Sequence, residues 1–123
     1  MKETACAIYT RTAAASASRI EEQRQTAEAY IAAEGMTVLP ERYDDDGQSG
    51  NTADRPGLFR LKRDVARGMV DRVVVERFDR LARSAPVFAE CLDFFQRHGV
   101  DLIPVARSFA TATSGIGGKE GGA

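Results

Sequence analysis

At 123 residues, with 43% apolar and 28% charged side chains, the chain is long enough for one buried core and too hydrophobic to be disordered throughout. A formal charge of −1 supplies no global field favouring nucleic acid, so any such affinity must come from a local patch or from a segment that is absent. No apolar run approaches membrane-spanning length, and Met1-Lys2-Glu3-Thr4 lacks the charged-then-apolar order of a signal peptide, so a cytoplasmic protein with no membrane partner is expected.

Ala5 to Tyr9 is short and apolar and reads as a central first strand, with Arg11 at its carboxyl end. After the small-residue stretch Ala13 to Ala17, Ser18 can cap a helix, and Glu21 three residues on completes a capping box. Ile20, Ala27, Tyr30 and Ile31 recur at helical spacing, Glu21, Glu22, Arg24 and Glu28 read as its solvated face, and Gly35 is placed to end the helix. Met36 to Leu39 is the second strand, closed by Pro40.

Tyr43 to Arg55 has no apolar periodicity and two glycines, which predicts a long loop, and loops of that length in a small domain are commonly functional. Pro56 opens the next helix, whose inner stripe is Leu58, Leu61 and Val65, and Gly68 closes it. Val70 to Arg77, with three consecutive valines, reads as a strand buried on both faces. Ser84 caps a helix with Pro86 in its first turn and Phe88, Cys91, Leu92 and Phe95 on its face; Gly99 ends it, and Val100 to Val105 is a fourth strand. Cys6 and Cys91 have no CxxC spacing and no histidine cluster, so buried thiols are expected rather than a disulfide or metal ligands. His98, in the last helical turn, reads as structural.

The order β-α-β-α-β-α-β predicts a three-layer α/β domain over residues 1–106, with a mostly parallel four-stranded sheet and helices on both faces. Residues 107–123 turn to small and polar types and predict a flexible Gly-rich tail. In this topology Arg11, the 43–55 loop and the Asp79-Arg80-Leu81-Ala82-Arg83 turn all follow strands, hence share the rim where open α/β sheets bind ligands. Arg11, Arg55, Arg80 and Arg83 together would repel one another, and a ligand with several anionic oxygens, such as a phosphodiester, would relieve that repulsion.

Tyr9-Thr10-Arg11, Ile20-Glu21-Glu22-Gln23, Tyr43-x-Asp45-x-Gly47-x-Ser49-Gly50, Arg55-Pro56 and Asp79-Arg80-Leu81-Ala82-Arg83-Ser84 resemble, in order and interval, the signatures of the serine recombinase (resolvase/invertase) catalytic domain. The resemblance implies site-specific DNA recombination in which a serine attacks a DNA phosphate and forms a 5′-phosphoserine link, with arginines stabilising the transition state and no metal or other cofactor. It assigns Arg11, Arg55, Arg80 and Arg83 to the phosphate, Asp79 to proton transfer or arginine orientation, and Gln23, Asp46 and Ser49 to support, with Asp45 as the alternative to Asp46.

Two departures follow from the same resemblance. The nucleophile position, two residues after Arg11, is Ala13, which cannot attack phosphorus, so a domain unable to cleave DNA is expected; Ser16 and Ser18 are the neighbouring hydroxyls that an active alternative would use. The family's long dimerisation helix and DNA-binding region are also missing, so weak DNA binding is expected here, alongside dimers or tetramers for full-length relatives. Two other readings are a non-catalytic dimerising or regulatory remnant and a receiver-type phosphoacceptor domain. The receiver needs an acidic pocket after the first strand, where this chain has Arg11.

Overall fold

The computed structural model describes residues 3–106, so the expected Gly-rich tail lies outside the described residues. Its elements run β1 (Ala5–Thr12), α1 (Ala17–Ala33), β2 (Thr37–Val38), β3 (Tyr43–Asp46), α2 (Pro56–Ala66), β4 (Arg72–Val75), α3 (Phe78–Leu81), α4 (Ala85–Arg97) and β5 (Asp101–Pro104). Every strand pairing is parallel, in the order β2-β1-β4-β5, with β3 also on β1.

Alternation along the two central strands creates the three layers. Ala7 and Tyr9 of β1, with Val73 and Val75 of β4, face a core closed by Leu58, Leu61 and Val65 of α2 and Cys91 and Phe95 of α4. Cys6, Ile8 and Val74 point the other way, onto Ala27 and Ile31 of α1. Burial on both faces is why the valine run carries no polar alternation. Both cysteines are buried and free, and burial pushes each thiol up from its ordinary pKa. Among the described residues no helix is long and apolar enough to cross a membrane.

The sheet has five strands rather than the four expected. Tyr43 to Asp46, expected to begin a loop, pairs with Tyr9 to Thr12 and extends the β2 segment along β1. Three acids hide the strand from a hydrophobic pattern, yet each has a structural partner. Asp44 accepts from the Thr10 hydroxyl at 2.6 Å, and Asp46 accepts from Thr12. Asp45 is buried and accepts from Tyr9 Oη at 2.7 Å and from the first free amides of α2, Gly57 N at 2.6 Å and Leu58 N at 2.9 Å. A carboxylate there satisfies orphan donors and the positive end of the helix at once.

Two local expectations are corrected. The α1 cap is Ser16, not Ser18: Ser16 Oγ accepts from Arg19 N at 3.3 Å, and the helix begins one residue earlier than the expected cap. Arg24, assigned to the solvated face, is 8% exposed, with Nε 3.1 Å from Glu28. Ser84 caps α4 as expected, accepting from Val87 N at 3.3 Å. The glycines expected to close three helices, Gly35, Gly68 and Gly99, adopt φ of 72°, 76° and 70°.

Gly57 is required by the Asp45 contact. A Cβ there would stand 2.8 Å from Asp45 Oδ2 and 2.9 Å from the Asp44 carbonyl oxygen, so α2 could no longer sit on β3. Gly57→Ala should cost about 1–3 kcal/mol and lower Tm by roughly 4 °C or more. A thermal melt with Tm unchanged would show that the start of α2 is free to shift away from the carboxylate.

Candidate functional site

From β1 the chain moves to β2 on one side and returns to β4 on the other, so the carboxyl ends of β1 and β4 form the switch point of the sheet. There the backbone diverges and leaves a cavity of about 420 Å³, lined by Thr12, Ala13, Ala14, Ala15, Ser16, Arg19, Arg80 and Arg83. A second depression, of about 530 Å³, is lined by Ala13, Gly47, Ser49, Gly50, Asn51 and Arg83. The two share Ala13 and Arg83. Ala13 is exposed, on the loop between β1 and α1.

The four arginines divide into two pairs. Arg11 and Arg55 are each 1% exposed and bonded to backbone oxygens. Arg11 donates from Nε to the Arg80 carbonyl at 2.9 Å, from Nη1 to Gln48 at 2.9 Å and from Nη2 to Asp79 at 2.7 Å. Arg55 donates from Nε to Thr52 at 2.8 Å, from Nη2 to Leu81 at 2.6 Å and from Nη1 to the Tyr9 hydroxyl at 2.9 Å. Burial lowers the Arg11 pKa, and the charges of Arg55, Arg80 and Arg83 push the same way against an opposing effect of Tyr9. Arg80 and Arg83, by contrast, line the cavity.

Arg80 is half-buried, with Nε 3.0 Å from Glu76 Oε1 and 3.9 Å from Asp79 Oδ1. Asp79 also lies 3.5 Å from Arg77 Nε, and its buried Oδ1 accepts no hydrogen bond. Arg83 is exposed; its backbone amide donates to the Gly50 carbonyl at 2.8 Å, which ties the turn after α3 to the loop after β3. A Cβ on Gly50 would fall 2.6 Å from Arg83 Cγ and 2.9 Å from Arg11 Cζ, so the two arginines approach only because that position has no side chain.

The supporting residues act on backbone. Gln23 accepts from Arg11 N at 3.1 Å and donates to Arg11 O at 2.9 Å, a side-chain amide substituting for a neighbouring strand. Asp46 accepts from the Thr12 hydroxyl and from Ser16 N at 2.7 Å, bracketing the loop that carries Ala13. Asp45 faces the Tyr9 and α2 contacts instead, so the adjacent acids hold different segments. Ser49 Oγ accepts from Asn51 N at 3.0 Å within its own loop. Ser16 lines the cavity, but its hydroxyl is committed to the α1 cap and lies 3.3 Å from Ser18 Oγ.

Sequence reasoning missed Arg19, Glu76 and the polar role of Tyr9. Arg19 falls in the first turn of α1 with either serine as cap, and the cavity lining is what brings it together with Ala13. Tyr9 was expected in the core; it is buried there, but its hydroxyl joins Asp45 to Arg55, and burial raises its pKa so that it stays neutral. Among the described residues no group of three or more His, Cys, Asp or Glu side chains is placed to hold a metal ion.

A family model described as Resolvase, N terminal domain, matches residues 6–117. The N-terminal catalytic domain of TP901-1 integrase is 32% identical and superposes with a TM-score of 0.79 over 85% of this chain and 80% of that one. A resolvase family site-specific recombinase from Streptococcus pneumoniae is 26% identical, with a TM-score of 0.74 over 85% of this chain and 74% of that structure. A protein of Bacillus subtilis (strain 168), provisionally named a DNA recombinase, is 32% identical over 74 residues, 60% of this chain; the aligned segment is 15% of that protein's length.

The Asp46 bonds set a pH dependence. The Thr12 hydroxyl and then the Ser16 amide hold its carboxyl below the ordinary aspartate value, so the stability it contributes is complete above the unfolded pKa of about 3.9 and is lost as pH falls through the lower folded value. In an NMR titration the Ser16 amide resonance should therefore move with a midpoint below about 3.9, and Asp46→Asn should abolish that step. A midpoint at or above the ordinary value would mean that Asp46 does not hold the loop.

Proposed function

Because the chain belongs to the resolvase N-terminal domain family, we propose that it is a site-specific DNA recombinase catalytic domain whose cavity receives the scissile phosphodiester. The observation that carries this reading is the presence of Arg80 and Arg83 in the same cavity wall as Ala13. Guanidinium N–H groups match the two non-bridging oxygens of a phosphodiester, and they bind more strongly as charge accumulates on those oxygens during displacement at phosphorus. Arg11 and Arg55 hold the turn that presents Arg80 and Arg83 by bonding the carbonyls of Asp79, Arg80 and Leu81, and add positive potential from behind. Asp79 and Glu76 flank Arg80 and restrict its orientation.

In the family reaction a serine hydroxyl attacks phosphorus, the 3′-oxygen leaves and takes up a proton, and a 5′-phosphoserine link remains; the reverse step rejoins a strand. Position 13 offers a methyl group to that step. The cavity therefore binds a phosphodiester without cleaving it. Ser16 does not substitute for the missing hydroxyl, because its oxygen holds the α1 cap and a displaced nucleophile loses the alignment on which displacement depends. DNA is the proposed partner, and assembly into dimers or tetramers is proposed for the recombinase of which this is the catalytic domain.

The test restores the nucleophile. Ala13→Ser, in the chain joined to the C-terminal segments of a complete resolvase-family recombinase, should form a covalent adduct on a nicked recombination site, resolved on a denaturing gel. The same fusion with Ala13 should give at least about 10³-fold less adduct. An Ala13 adduct abolished by Ser16→Ala would place the nucleophile at Ser16, and no adduct from the Ala13→Ser fusion would overturn the recombinase reading of the cavity.

A further inference from the structure

Resting on the phosphodiester reading, we propose that Arg19 forms a second phosphate subsite, which holds the phosphodiester next to the one at Ala13 along the same DNA strand. Arg19 stands in the first turn of α1, its backbone fixed by the cap bond from its amide to Ser16 Oγ at 3.3 Å and its side chain exposed. It lines the cavity with Ala13, Arg80 and Arg83.

Position separates it from the first subsite. Ala13 and Arg83 line both depressions, whereas Arg19, like Arg80, lines only the one that runs along the 12–16 loop, and of those two Arg80 alone is engaged by a carboxylate, Glu76 at 3.0 Å. A single phosphate centred on Ala13, where the two depressions meet, would engage Arg83 there, whereas Arg19 belongs to the depression along the 12–16 loop alone. The methyl groups of Ala13, Ala14 and Ala15 offer no side-chain donor and suit the apolar face of a deoxyribose between two phosphates. The volume agrees: about 420 Å³ lies within the range of pockets that enclose a drug-sized ligand, more than one phosphate group fills.

Charge points the same way. The Arg80 guanidinium is already shared with Glu76 at 3.0 Å, and Asp79 pairs with Arg77 at 3.5 Å. Among the described residues, no side-chain hydrogen bond or ion pair engages Arg19 or Arg83. Two unpaired guanidiniums lining one cavity match two singly charged phosphodiesters better than one.

The test compares probes that carry one phosphate and many. Inorganic phosphate and a short DNA duplex are titrated into the full chain, the duplex at several salt concentrations, with Arg19→Gln, Arg19→Lys and Arg83→Gln as variants. Arg19→Gln should weaken duplex binding about two- to fivefold and reduce the log–log salt slope by about one, while leaving the affinity for inorganic phosphate unchanged. Arg19→Lys should restore the slope, and Arg83→Gln should weaken both probes. A parental salt slope in Arg19→Gln would overturn the second subsite and leave the cavity reading standing, provided that Arg83→Gln weakens both probes. Equal losses of phosphate and duplex in Arg19→Gln would put Arg19 in the first subsite and overturn the proposal as well. If Arg83→Gln leaves both probes unaffected, the phosphate reading of the cavity fails and the second subsite with it.

Discussion

A buried cation organises this domain. Arg11 is fully enclosed, and removing a guanidinium from water is costly unless its donors are met. Three carbonyl oxygens meet them, from Gln48, Asp79 and Arg80, so one side chain at the end of β1 ties together the loop after β3 and the turn formed by α3. Those segments are far apart in sequence, and the loop after β3 has little apolar content of its own. Arg55 repeats the device across Thr52 and Leu81, and Gly50 leaves room for the Arg11 and Arg83 side chains. Leu81 anchors the α3 turn in the core, and the charge-assisted bonds hold the polar remainder of these segments around the cavity.

Much of the architecture was legible because it rests on periodicity. The stripe Leu58, Leu61 and Val65, the valine run and the Ser84 cap are local patterns with one reading each, and all three adopt it. The strand Tyr43–Asp46 was not legible, since its inward positions include an acid. Asp45 is buried by partners that come from Tyr9 and from the start of α2, and no local window contains them. Tertiary bonding overrides the low strand propensity of aspartate there. The capping error has the same origin at smaller scale: Ser16 and Ser18 both suit an N-cap, and the choice is made by Asp46, which accepts from the Ser16 amide and fixes where the turn begins.

The arginines were legible as a set but not in their roles. Spacing along the chain brings Arg11, Arg55, Arg80 and Arg83 to one rim, yet it says nothing about which guanidiniums point inward. Burial makes that division: Arg11, near the end of β1, and Arg55, at the start of α2, are enclosed and bonded to carbonyls, while the two on the α3 turn line the cavity. Arg19 was overlooked because an arginine in a first helical turn reads as an ordinary exposed residue, unfavourable if anything at the positive end of a helix. Its position makes sense once an anion is expected beside it.

This division also explains how the fold persists with alanine at position 13. The side chains whose bonds assemble the rim include Arg11, Arg55, Gln23, Asp45 and Asp46, and residue 13, exposed on the cavity loop, is not among them. On the proposed reading a hydroxyl there serves chemistry alone. Removing it leaves the backbone of the loop where Asp46 holds it and leaves Arg80 and Arg83 facing the space above it. On the proposed reading, binding and bond-breaking fall to separate atoms, and the loss of one does not entail the loss of the other.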